Sequence, residues 1–180
     1  NIEKKFFCEF ILTYIYKFKK ANQMNSNSKF EHAILVDEAH NIFLKNKTSF
    51  VQESVTDMIY REMREYGIAL ICLDQHISKL SDTVKGNSAC HIAFQQQLPE
   101  DIKDISSMMQ LWDRQDYFSR LSVGSAIVKL SERYPSPFLI KIPDVELRKK
   151  EVSNSEVKSR MISLMQLKEV ENGKDEDFRK

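Results

Sequence analysis

The chain has 180 residues, 42% apolar and 29% charged, enough for one domain of ordinary size with its own hydrophobic core. Lys+Arg 27 against Asp+Glu 26 leaves a formal net charge of +1, so no overall excess points to nucleic acid and any basic surface must be local. No apolar stretch reaches the roughly 20 residues of a bilayer span, and the apolar run 6–16 behind Lys4 and Lys5 lacks a small-residue cleavage site.

Residues 2–20 carry Phe6, Phe7, Phe10, Ile11, Tyr14, Ile15 and Phe18 at helical spacing, a broad apolar stripe. The Asn/Ser-rich segment 21–29 reads as a loop. Ala33-Ile34-Leu35-Val36 is a short continuous apolar run that ends in Asp37-Glu38, which predicts a strand buried on both faces of a parallel sheet. Residues 50–66 return to helical period, and Gly67 stands where a helix C-cap glycine belongs. A second strand is expected at 68–73, ending in Asp74-Gln75. Further strands are expected at 91–95, 125–130 and 138–142, with a helix opening at Pro99 in between. Pro135 and Pro137 are expected in the turn of a hairpin between the last two strands. A charged helix around Val157, Met161, Leu164 and Leu167 and a disordered tail complete the chain. The whole reads as an α/β fold with a mainly parallel sheet, divided into 1–143 and a charged C-terminal part, 144–180.

An apolar strand that delivers Asp37 and Glu38 at its C-terminal tip places two carboxylates where open α/β sheets bind ligands. One can hold a magnesium ion through water while its neighbour orients and polarises an attacking water. A strand end capped by solvated acids is the plainer reading. The order of the next elements argues for chemistry: a helix closing on Arg64-Glu65-Tyr66-Gly67, then a strand that ends before Gln75.

In this order the chain resembles the HerA/FtsK superfamily of RecA-like motor ATPases over about 31–143. Residues 78–87, the strand at 89–95 and Leu121-Ser122-Val123-Gly124-Ser125-Ala126 resemble the family's downstream elements. The resemblance implies the C-terminal half of a RecA-like P-loop NTPase domain from a hexameric DNA translocase or helicase-like motor, with ATP and Mg2+ bound between subunits. It assigns Asp37 to the magnesium side, Glu38 to catalysis, Gln75 to sensing the γ-phosphate and Arg64 to the neighbouring subunit's ATP. Arg61 competes for the last role, and an Arg in the last helical turn also suits the helix dipole. Gln75 has a plainer reading as a strand-end hydrogen-bonder. DNA as cargo, a homo-oligomeric ring and a partner nuclease are further implications.

The departure from the family is the phosphate-binding loop: none of Gly67, Gly86, Gly124 and Gly173 belongs to a GxxxxGK[ST] sequence. With Asn1 rather than Met in first place, this suggests a piece of a longer protein, inactive by itself. The alternatives are part of an AAA+ or signalling-type ATPase, whose second strand usually ends in Asn, Ser or Thr, and a non-enzymatic RecA-like binding module. His40 completes the string DEAH, but no second His or Cys stands at helical ligand spacing, which argues against a transition-metal site. His76 and His91 read as structural or exposed. Trp112, Tyr117 and Phe118 suit packing of a helix on the sheet better than stacking on bases, and Lys17, Lys19 and Lys20 read as a solvated helix end. Cys8, Cys72 and Cys90 are odd in number without CxxC spacing, as expected of free thiols in a reducing cytoplasm.

Overall fold

The computed structural model describes residues 2–22, 30–45, 54–145, 152–163 and 165. The chain divides into two compact units, Asn1–Pro143 and Asp144–Lys180. In the second, a helix covers 154–163; Leu164, Leu167 and the expected tail lie outside the described residues.

The first unit opens with helix α1, Ile2–Asn22, which is not apolar enough to cross a membrane. It takes in the first two residues of the expected loop; 23–29 lie outside the described residues. Strand β1, His32–Asp37, runs into a short 3-10 turn, Ala39–Asn41. Helix α2, Val55–Glu62, begins where the Ser54 hydroxyl accepts the Asp57 N–H, a side-chain N-cap. The expected start at residue 50 lies outside the described residues. Its last turn tightens into a 3-10 turn, Met63–Tyr66, closed by Gly67 at φ 70°, a left-handed C-cap conformation that glycine adopts freely. Strand β2, Ile68–Leu73, follows, then a 3-10 turn at Ile77–Lys79 and helix α3, Asp82–Asn87.

Strand β3, Cys90–Ala93, leads into α4, Pro99–Met108, with proline in its first turn, and α5, Gln115–Ser119. Strands β4, Ser125–Leu130, and β5, Tyr134–Lys141, end the unit. β1 and β2 pair parallel in one sheet; β3, β4 and β5 form another, paired antiparallel in that order. Parallel pairing is therefore confined, among the described residues, to β1 and β2. The β4–β5 hairpin is present, but Pro135 and Pro137 lie within β5 rather than in its turn. β5 is the edge of its sheet and its register shifts opposite Val128/Leu130, so missing N–H groups are tolerated there.

The core forms three clusters. Leu12, Val36, Ala39, Ile42, Phe43, Leu80 and Val84 lie beneath the tips of β1 and β2. Tyr16, Ile59, Met63, Tyr66 and Ile68 join α1 and α2 to the start of β2. Ala93, Ile105, Met109, Phe118, Leu121 and Ile127 pack α4 and α5 on the antiparallel sheet. One expectation is corrected. β1 is buried on one face only: Val36 is inside, whereas Leu35 on the opposite face is 64% exposed and Ile71 and Leu73 on β2 are exposed with it. Successive strand side chains alternate between faces, and among the described residues no element covers the outer one. On α1, the buried residues are Leu12 and Tyr16, while most of the aromatic stripe faces outward.

Candidate functional site

Parallel pairing decides where the polar residues meet. Asp37 is the register partner of Leu73, so the residues after each strand emerge at the same sheet edge. Glu38 is at φ 50°, ψ 51°, a left-handed conformation that costs an L-residue roughly 1–2 kcal/mol. Its carbonyl accepts the backbone N–H of Asn41 at 2.9 Å and the Asn41 side-chain amide at 3.1 Å, which holds the turn. Strain of this kind at a strand tip is characteristic of functional positions.

Gln75 donates its side-chain amide to Glu38 Oε1 at 3.1 Å, and Asp37 Oδ1 accepts the Glu38 N–H at 3.0 Å. Three of the four expected site residues are thus brought together. Arg64 is not: it precedes β2 while Gln75 follows it, so the six-residue strand, roughly 20 Å long, separates them within one chain. The tips are fastened by backbone pairing downstream, where Lys45 N–H donates to Lys79 and Ser81 N–H to Phe43, at 2.8 and 2.9 Å.

The residue that sequence reasoning passed over is Asp74. Its side chain is 4% exposed. One oxygen accepts the His40 backbone N–H at 2.6 Å, the other the His76 backbone N–H at 2.7 Å, and the His40 ring Nδ1 lies 2.9 Å from Oδ2. His40 Nδ1 is also 3.6 Å from Glu38 Oε2. Asp74 therefore ties the turn after β1 to the turn after β2 and keeps His40 beside Glu38. Buried Asp101 supports the next turn by accepting the Ser78 N–H at 2.9 Å and facing His76 Nδ1 at 3.4 Å. Its burial opposes ionisation, yet the bonds from Ser78 and His76 outweigh that and lower its pKa. The signal for Asp74 was its place beside Gln75; its partners include His40, 34 residues away, and become visible only in three dimensions.

Other residues have plain roles. Phe118 is buried against α4, whereas Trp112 and Tyr117 are exposed. Cys8, Cys72 and Cys90 are free, and burial, helped by Asp74, pushes the Cys72 thiol up to about 12, so it stays protonated and inert.

No curated protein matches the chain. Solved structures of the genome-packaging NTPase B204 from Sulfolobus turreted icosahedral virus 2 do. The complex with AMPPCP aligns with a TM-score of 0.56 at 15% identity over 75% of this chain and 62% of that one. The complex with ATP-gammaS gives 0.56 at 16% identity over 76% and 61%. B204 of Sulfolobus turreted icosahedral virus, a DNA-packaging ATPase, gives 0.55 at 17% identity over 75% and 62%. At this identity the likeness is one of fold, and the chain spans about three-fifths of the length of these proteins. Sequence similarity is more specific: residues 11–114, over half of the chain, match the zonular occludens toxin family, and the chain belongs to that family, Zot.

Proposed function

We propose that this chain is the acid-bearing part of an ATP-hydrolysing motor that moves DNA, working as a ring with nucleotide bound between subunits. The observation that carries the proposal is Glu38, held in a left-handed conformation at the tip of β1 and hydrogen-bonded to Gln75 from the tip of β2. The fold likeness to a genome-packaging NTPase supports it.

In this reading Glu38 orients and polarises the attacking water, the work of a positioned base. Gln75 fixes one carboxylate oxygen and reports on the γ-phosphate, while Asp74 acts through His40 on the other side of Glu38. Asp37 is exposed at the strand tip, and its hard oxygen ligands suit a hydrated Mg2+. That ion, when bound, neutralises charge on the phosphate oxygens. Arg64 lies at the far end of β2, so it serves a neighbouring subunit's nucleotide rather than its own.

The sequence holds no GxxxxGK[ST], so hydrolysis in this reading needs a segment that supplies the phosphate-binding loop to the site. The bare apolar face of β1 and β2, where Leu35, Ile71 and Leu73 lie on the same side as Asp37, gives such a segment a place to pack. Calorimetry with ATP and a phosphate-release assay on the 180-residue chain test this. The expected result is weak binding without turnover; micromolar binding with turnover that Glu38→Gln abolishes would overturn the need for an added loop.

A further inference from the structure

We propose that Glu38, His40 and Asp74 form a binding site for a zinc-class divalent transition metal. A zinc ion there takes Glu38 Oε2 while Gln75 holds Oε1, so occupancy of this site and the water-orienting role proposed above exclude each other. The readout is metal binding by the chain rather than ATP hydrolysis. One ligand atom from each residue lies within 4.8 Å of the others. His40 Nδ1 stands 2.9 and 3.2 Å from the two Asp74 oxygens and 3.6 Å from Glu38 Oε2. Zinc binds nitrogen and carboxylate oxygen at about 2.0–2.2 Å, so neighbouring ligands of a tetrahedral site stand roughly 3.3–3.6 Å apart. The His40 nitrogen is already spaced from both carboxylates as along the edges of that tetrahedron, to within a few tenths of an ångström.

The donors are also held in place before any ion arrives. Asp74 is fixed by two backbone N–H groups, the outer-shell support that orients metal-ligating carboxylates. The His40 ring packs edge-on against His76 at a centroid distance of 6.1 Å. Side-chain exposure rises from 4% at Asp74 through 18% at His40 to 42% at Glu38, so an ion would be anchored on its inner side and open to water on its outer side. Three protein ligands and an open position is the pattern of an accessible rather than a closed zinc site. An imidazole nitrogen with two carboxylates selects Zn2+ and its neighbours over Mg2+, which prefers oxygen ligands throughout. The ion takes the Nδ1 lone pair of the Nε2–H tautomer, so the hydrogen bond between Nδ1 and Asp74 is given up on binding.

The test is calorimetry with Zn2+, paired with the visible absorption of added Co2+, on the whole chain and on Glu38→Gln, His40→Gln and His32→Gln. The expected result is one ion per chain, with affinity lowered at least tenfold by Glu38→Gln and by His40→Gln and unchanged by His32→Gln, whose residue lies at the far end of β1. Glu38 is the most exposed ligand, so its variant keeps the test valid if His40→Gln disturbs the turn. Absence of saturable binding, wild-type affinity in Glu38→Gln or in a folded His40→Gln, or an equal loss in His32→Gln would overturn the proposal.

Discussion

Asp74 shows how much of the site depends on one buried carboxylate. Asp37, Glu38 and Gln75 were legible in the sequence because an apolar run ending in acids, and a second ending beside Gln, predict two strand tips at one sheet edge. Asp74 was not, since its partners are backbone N–H groups of two turns, His40 and His76, which no local pattern announces. In Asp74→Asn one oxygen becomes an amide that can only donate, opposite an N–H that also donates. Hydrogen bonds to a charged group are worth about 1.5–3 kcal/mol each, so losing one and leaving its N–H against a second donor should lower stability by about 2–3 kcal/mol. Urea unfolding checks this as a fall in midpoint with an unchanged slope; an unchanged midpoint would mean that the two turns are held by backbone pairing alone.

The elements were legible where local signals act alone and misread where burial depends on a partner. Pro99, Gly67 and the 125–130 run marked their positions correctly because first-turn proline, left-handed glycine and a β-rich apolar run are local preferences. The aromatic stripe of α1 marked a helix, but Leu12 and Tyr16, lying between the stripe residues, are what pack inward. Periodicity identifies a helix without saying which face meets the core. His91 on β3 is an element-level liability of a different kind. The Lys85 carbonyl can only accept, at 3.0 Å, so Nε2 carries the ring proton, and Nδ1 is buried without a partner. Burial lowers its pKa, aided by the Lys129 charge and partly offset by the Lys85 carbonyl. A histidine with a depressed folded pKa stabilises the fold fully above its unfolded value near 6.5 and loses that contribution as pH falls through the folded value. Stability should therefore decline below about pH 6.5, by no more than about 1.4 kcal/mol per pH unit from this group. His91→Gln should flatten the decline in urea titrations between about pH 7 and 5; an identical slope in the variant would assign the effect elsewhere.

At the scale of the whole molecule, the two ends of β2 carry different residues of the proposed site. Gln75 meets Glu38 at one end, and Arg64 stands at the other, which suits a ring in which each subunit completes its neighbour's site. Mixing Arg64→Ala subunits with Glu38→Gln subunits of the full-length protein tests that division. Each alone should be nearly inactive, and a mixed assembly should regain partial turnover where intact Glu38 faces intact Arg64. No recovery despite co-assembly would count against action of Arg64 on a neighbouring subunit's site. Narrower, and central to the proposed function, is the role assigned to Glu38. Phosphate release by full-length Glu38→Gln, beside a measurement of its ATP affinity, tests that role most directly. Unchanged ATP binding with turnover lowered by about 10²–10⁴, the scale of losing a positioned base, is the expected result; turnover within a few-fold of wild type would contradict it.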